Sequence, residues 1–405
     1  MNTQKQHHPL PTTERERHVI LDALRGTALL GIALANFPEF GLWTFLSTEQ
    51  QSAMPTAGVD EVMKFMQYLL VDGKFYSIFS VLFGLGFALI LSRHSLSFFW
   101  RRMMILAVIG LCHMMFLWSG DILFLYAVGG LLLSLLVRMS DKALLWTAAA
   151  LLTIVPVGLD ALIEFFGGDF VGPFYNAWWA KADEMGITEE NFASWLRDAD
   201  SYPQMFAFLI QGAYERMWEF VSGHRLPKVL GLFILGYLIG KNRYYARVDK
   251  LPLRRLFKWT FVIGFPTSLV YAWSATQGQP WGMTAHSALY AVSVVPFAFA
   301  FIAGICLLYT HFHKKVQLAF TLFAASGRMA LTCYISQSVI GILLFYGVGM
   351  GLGTSMGLVT IEFIAFGAFV LMVFLCRLWL RWFLFGPLEW IWRLLTYGRY
   401  FKILK

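Results

Sequence analysis

Residues 20–43 read ILDALRGTALLGIALANFPEFGLW, apolar enough to cross a bilayer, yet they carry Asp22, Arg25 and Asn36. At about 100° per residue, Asp22 and Arg25 lie about 60° apart on a helix. Asn36 returns to within about 40° of Asp22 and about 20° of Arg25 by the same geometry. One stripe is therefore polar, while Leu30, Ile32 and Leu34 cover the rest. A charge at the bilayer centre costs roughly 2.5–3.5 kcal/mol on insertion scales, so the stripe is expected to face protein or water. A buried polar seam in the first helix is a reason for other helices to gather round it. The fold class that follows is all-α, a polytopic membrane helical bundle.

The rest of the chain carries the same signal. Of its 405 residues 58% are hydrophobic and only 14% charged, against about 25% charged in soluble proteins. Apolar segments long enough to span, roughly 18 residues or more, are placed near 20–43, 74–91, 103–119, 121–137, 143–166, 226–240, 257–275, 286–310, 328–348 and 357–383, about ten in all. They make one membrane domain, residues 18–385. Residues 1–17 are polar and mixed in charge and are expected to be a disordered cytoplasmic tail. Residues 60–72 are expected as a short interfacial helix. In residues 386–405, Leu388, Ile391, Trp392 and Leu395 recur at helical spacing with basic residues between, which predicts an amphipathic cytoplasmic surface helix.

Charge gives the orientation. Most Lys and Arg fall in segments 1–17, 92–102, 138–142, 241–258, 311–328 and 377–405, whereas 167–224 carries nine Asp and Glu against Lys181, Arg197 and Arg216. Positive-inside then puts both termini in the cytoplasm and leaves 167–224 external. Because the net charge of +8 sits in particular loops, it is no nucleic-acid signal. The expected partner is the lipid bilayer, with a small-molecule or envelope-glycan substrate and a homo-oligomer left open. Cys112, Cys306, Cys333 and Cys376 lie in apolar runs without metal-ligand spacing, so they are expected as small core residues. No metal site and no bound cofactor are expected.

Few groups could carry chemistry. Asp22 and Arg25 form either an ion pair that fixes packing or a cytoplasm-facing site where Arg25 meets an anion. Lys74 is expected at the external mouth of the second span. His113 is the one histidine deep in an apolar run, LCHMMFLWSGDILFLYA, and Asp121 and Tyr126 follow across the tight turn Ser119-Gly120. A general base His113 with Asp121 beside it is the candidate catalytic pair. In SGRMALTCYISQS, residues 326–338, Arg328, Thr332 and Ser336 recur every four residues with Tyr334, Gln337 and Ser338 beside them. Asp22, Arg25, Asn36, Lys74, Arg328 and Gln337 are the candidate substrate-binding residues. Walker, dinucleotide, HExxH and GxSxG motifs are absent.

At LDALRG…N, FYSIFSVLFGLG, SGDILFLYA, GRMALTCYISQS and GPLEWIWR the sequence resembles the bacterial YeiB family, almost end to end. It is also distantly similar to transmembrane acyltransferases that include heparan-alpha-glucosaminide N-acetyltransferase and the acyltransferase family 3 proteins. That likeness rests on Asp22, Arg25-Gly26 and Asn36, with a weaker one around Asp121-Ile122-Leu123. It implies acyl transfer from cytoplasmic acyl-CoA to a cell-envelope acceptor, with Arg25, Arg101 and Arg102 binding the CoA phosphates. The acetyltransferase keeps its catalytic histidine in the external loop after the first span; here residues 37–60 contain none. His113 substitutes only in a rearranged pocket. A secondary transporter built on Asp22, Arg25, His113 and Asp121, or a non-catalytic envelope-assembly protein, are the alternatives.

Overall fold

The structure is a computed structural model that describes residues 18–167 and 172–405; the expected tail, 1–17, lies outside the described residues. The helices in chain order are α1 (Val19–Phe40), α2 (Thr48–Ser52), α3 (Ala57–Leu70), α4 (Lys74–Leu91), α5 (Leu96–Phe116), α6 (Leu123–Leu136), α7 (Asp141–Leu152) and α8 (Ile154–Phe166). Then come four short helices, α9 (Gly172–Glu184), α10 (Phe192–Asp198), α11 (Tyr202–Leu209) and α12 (Gly212–Ser222). The second half holds α13 (Arg225–Lys241), α14 (Leu253–Thr276), α15 (Gly282–His311), α16 (His313–Arg328), α17 (Ala330–Phe345), α18 (Leu358–Trp382) and α19 (Pro387–Tyr397). Among the described residues the only β pairing is one isolated bridge, Phe383 to Leu404. The protein is an all-α membrane bundle.

All ten expected segments are helical. Among the described residues six helical stretches are long and apolar enough to cross a membrane, or seven if the bent pair α16 and α17 counts as one. The segment α6 is shorter, with 14 residues, and α13 has 17. At the centre stands α1, packed on α4, α15, α16, α17 and α18. More than half of its apolar window is buried, against 17% for α7 and α8, which face outward.

Glycine makes the central contacts possible. A Cβ on Gly26 would come 2.0 Å from the Phe323 carbonyl oxygen, and one on Gly327 would come 1.8 Å from that of Asp22. Backbone therefore meets backbone where α1 crosses α16. Gly84 and Gly236 do the same between α4 and α13. In lipid, where apolar side chains gain little by leaving their surroundings, such close approach supplies much of the association energy.

Two expectations need correction. Residues 60–72 do not stand apart as a surface helix: α3, which packs on α14 and α18, joins α4, which packs on α13 and α1, in one 35-residue apolar stretch bent at Gly73. Nor is 311–328 a basic loop. It is the helix α16, which lies along α1 and meets α17 at an 82° bend. Arg328 ends α16 while Thr332 and Ser336 ride on α17, so the expected four-residue row is broken at Met329. The bundle thus has a basic end, where α1 and α5 begin, and an acidic end, covered by α9–α12.

Candidate functional site

His113 sits in the last turn of α5, and the chain then reverses through Trp118-Ser119-Gly120 into α6. That reversal brings Asp121 back over His113. The Asp121 Oδ2 lies 2.9 Å from His113 Nδ1, and its Oδ1 accepts the Phe124 N–H at 2.7 Å, capping α6. On the other side of the ring, His113 Nε2 lies 2.9 Å from the Ser338 hydroxyl of α17. His113, Asp121 and Ser338 are 2%, 1% and 1% exposed. With the carboxylate on one nitrogen, the proton is assigned to Nδ1, which leaves Nε2 to accept the serine proton. Asp, His and Ser are thereby in the order that activates a serine oxygen.

Ser338 stands beside the row read in residues 326–338, where it was given no role of its own. That reading followed Arg328, Thr332 and Ser336. The buried face of α17 is instead Tyr334, Gln337, Ser338 and Gly341, at i, i+3, i+4, i+7. Tyr334 packs 5.3 Å from the His113 ring and takes the Ile122 N–H. Gln337 donates to the Leu29 carbonyl at 3.2 Å and ties α17 to α1, while its Oε1 is buried without a partner among the described residues. Tyr126 does not join His113; its hydroxyl meets Ser80 at 2.6 Å.

The helical cap at the acidic end closes over this relay. Arg216 donates through Nε to the Ser119 carbonyl at 2.7 Å and pairs with Glu219, and Ser119 donates to Glu215. A small pocket of about 20 Å³, room for about one water, lies against Trp118, Ser119 and Gly120 with Glu39, Glu215 and Arg216 on its wall. Burial pushes the Glu215 carboxyl above its usual range, against the pull of Arg216. The same burial pushes the Arg216 guanidinium down to about 10.

The remaining candidates fall elsewhere. Arg25 pairs with Asp22 at 2.8 Å near the basic end, with side chains 26% and 13% exposed. Asn36 is on the same face of α1 but about 21 Å farther along the axis, half-buried and apart from that pair. Lys74 is not at an external mouth. It is fully buried, gives its ammonium to the Tyr68 carbonyl at 2.6 Å and faces the Tyr271 ring, whose hydroxyl donates to Asp72. Cys112 is exposed rather than core, whereas Cys333 and Cys376 touch across α17 and α18 at 3.3 Å.

At the basic end, Arg102 stacks on Trp392 of α19, 3.6 Å from the ring centroid, within electrostatic reach of Arg25, Arg393 and Glu389. Glu389 accepts the Leu331 and Thr332 N–H groups and the Thr332 hydroxyl, so α19 caps the inner end of α17. Burial raises its carboxyl above the usual range. Arg328 points to the Leu384 carbonyl in the same region. Among the described residues no group of His, Cys, Asp and Glu could hold a metal ion.

Residues 239–399 match a family described as "Protein of unknown function (DUF418)". The chain is 28% identical to "Uncharacterized protein YxaH" of Bacillus subtilis (strain 168), covering 96% of each chain. It is 26% identical to "Uncharacterized protein YeiB" of Escherichia coli (strain K12), covering 94% of this chain and 96% of that one. The chain carries a DUF418 region and is a homologue of YeiB. An "Uncharacterized 39.9 kDa protein in amylase 3'region" of Bacillus acidopullulyticus is 28% identical over nearly the full length. In this YeiB homologue the matched region supplies Ser338, Gln337 and Glu389, while His113 and Asp121 come from the half before it.

Proposed function

We propose that this protein is a membrane acyltransferase of the bacterial inner membrane, with both termini cytoplasmic, that passes a small acyl group from cytoplasmic acyl-CoA to a cell-envelope acceptor. The observation that carries the reading is the buried relay Asp121–His113–Ser338. Asp121 holds the Nδ1 proton, His113 Nε2 takes the proton of Ser338, and the serine oxygen attacks the thioester carbonyl. The C–S bond breaks and His113 returns the proton to the departing thiolate. An acceptor hydroxyl or amine then gives its proton to His113 and takes the acyl group, which frees Ser338.

The basic end supports the donor side. Arg102 and His113 share α5, and about 16 Å of helix separates them, comparable to an extended pantetheine arm. Arg25, Arg102 and Arg393 would bind the phosphates, which favour fixed guanidinium forks. Purified protein mixed with radiolabelled acetyl-CoA should acquire label on the peptide containing Ser338. Absence of labelling, or equal labelling of Ser338→Ala, would sink the relay.

A second reading has one observation in its favour. The 82° break between α16 and α17 is the kind of discontinuous helix on which transporters build solute sites, and the buried Lys74, with Asp72 and Tyr271 near it, is a charge the relay does not use. Proton flux in proteoliposomes that Lys74→Ala abolishes and Ser338→Ala leaves intact would favour transport.

A further inference from the structure

Outside the relay, an open groove of about 450 Å³ lies in the acidic cap, between α9 and the turn that leads to α10. Its size falls in the usual range for small-ligand sites, about 300–1,000 Å³. Tyr175, Asn176, Trp179, Asp183, Thr188 and Glu189 line it, with Ile187, 1% exposed, as floor. The aromatic side is braced: Tyr175 packs 6.2 Å from Trp179 and 5.4 Å from Trp218, and Trp178 packs 4.5 Å from Trp179. The Trp179 indole N–H is buried with no acceptor among the described residues. A buried donor of that kind normally has a partner.

We infer that this groove docks a saccharide chain that carries no negative charge. Flat rings offer a surface for the C–H face of a pyranose, and the rim offers what its hydroxyls need. Asp183 and Glu189 accept, Asn176 both donates and accepts, and Tyr175, whose hydroxyl donates to Glu189 at 3.2 Å, accepts. No Lys or Arg lines the groove, and neighbouring Lys181 is held by Glu184 at 2.8 Å, so an acidic sugar meets two carboxylates without a counter-charge. A cationic peptide would answer the carboxylates but leave the aromatic side unused.

The groove does not stand alone. Trp178 packs 5.9 Å from Phe192, and Phe192 lines the small pocket against Ser119 and Gly120. The groove's aromatic frame and the pocket beside the relay thus share one packed wall. What that wall means for acyl transfer rests on the acyltransferase reading; docking itself does not.

The test is calorimetric titration of the full chain in nanodiscs with maltotriose, a glucosamine trimer, trigalacturonate and trilysine. Saturable binding of maltotriose or the glucosamine trimer is expected, with none of trigalacturonate. Trp179→Ala should weaken it about ten-fold or more, as loss of a stacked ring implies. The exposed change Asp183→Asn, which leaves the aromatic frame in place, should weaken it less. Ser338→Ala should bind as wild type does, so a failed relay and a failed docking site give different results. No binding of either trisaccharide, equal binding by Trp179→Ala, or binding of trilysine alone overturns the inference.

Discussion

Replacing Asp121 by Asn and by Ala separates what this residue does for the fold from what it does for His113. Its two oxygens have different tasks: Oδ1 accepts the Phe124 N–H at the start of α6, and Oδ2 faces His113 Nδ1. Asp121→Ala removes both. Loss of the cap costs about 1 kcal/mol, and a stranded buried imidazole donor costs about 1–3 kcal/mol more. The expected destabilisation is thus about 2–4 kcal/mol. Asp121→Asn keeps an amide oxygen for Phe124 and turns an NH₂ toward Nδ1. The ring must then carry its proton on Nε2, where it no longer accepts from Ser338. Stability should fall by less than about 1 kcal/mol, while single-turnover release of CoA thiol should fall about 10³–10⁴-fold. Denaturant titration and a thiol-reactive dye read the two quantities. Asparagine protein that turns over at the wild-type rate, or that is as unstable as the alanine variant, refutes the assignment.

Other consequences are quicker to state. Gly327→Ala should cost about 1–3 kcal/mol, because its methyl would press on the Asp22 carbonyl; unchanged thermal unfolding would mean that α1 and α16 do not meet there. Asp22→Ala and Arg25→Ala should each cost only about 0.5–1 kcal/mol, since the pair is part-exposed, and a loss near the 3–5 kcal/mol of a buried pair would contradict that placement. With its carboxyl raised by burial, Glu215 binds its proton more tightly in the folded state, so wild type should lose stability as pH climbs through and beyond about 4.5. Glu215→Gln should lack that loss, and a variant that falls behind wild type as pH rises reverses the sign. In whole cells an impermeant thiol reagent should label a cysteine placed at Glu190 and not one at Lys250; the opposite pattern inverts the orientation.

The fold was legible because lipid leaves few options. Runs such as residues 286–310 must be helical to satisfy their backbone, whatever their neighbours do. What sequence alone missed is packing that small residues decide. Residues 313–328 carry Lys314, Lys315 and Arg328 and read as a basic loop, but Gly327 lets α16 lie against the backbone of α1. Similarly Lys74 read as a residue of the external mouth because it begins the second span. The structure instead continues α3 into α4 and encloses the ammonium between a carbonyl and an aromatic face.

For the candidate site the limit was of another kind. His113 and Asp121 stand eight residues apart around a Ser-Gly turn, so local spacing alone brings them to attention. Ser338 lies 225 residues away from His113, and no periodicity within one segment reports which distant helix presents its hydroxyl. The signal that existed was the choice of face on α17. A row that begins at Arg328 assumes an unbroken helix, whereas the pattern Tyr334, Gln337, Ser338, Gly341 needs only the helix after the bend. Glu389 explains how that bend is tolerated. Its carboxylate takes two N–H groups that an interrupted helix would leave without partners inside the bundle. Removing it should loosen the first turn of α17 and, about two turns on, the hydroxyl that faces His113. The C-terminal helix α19 is in this way part of the site's support, although none of its residues touches the relay.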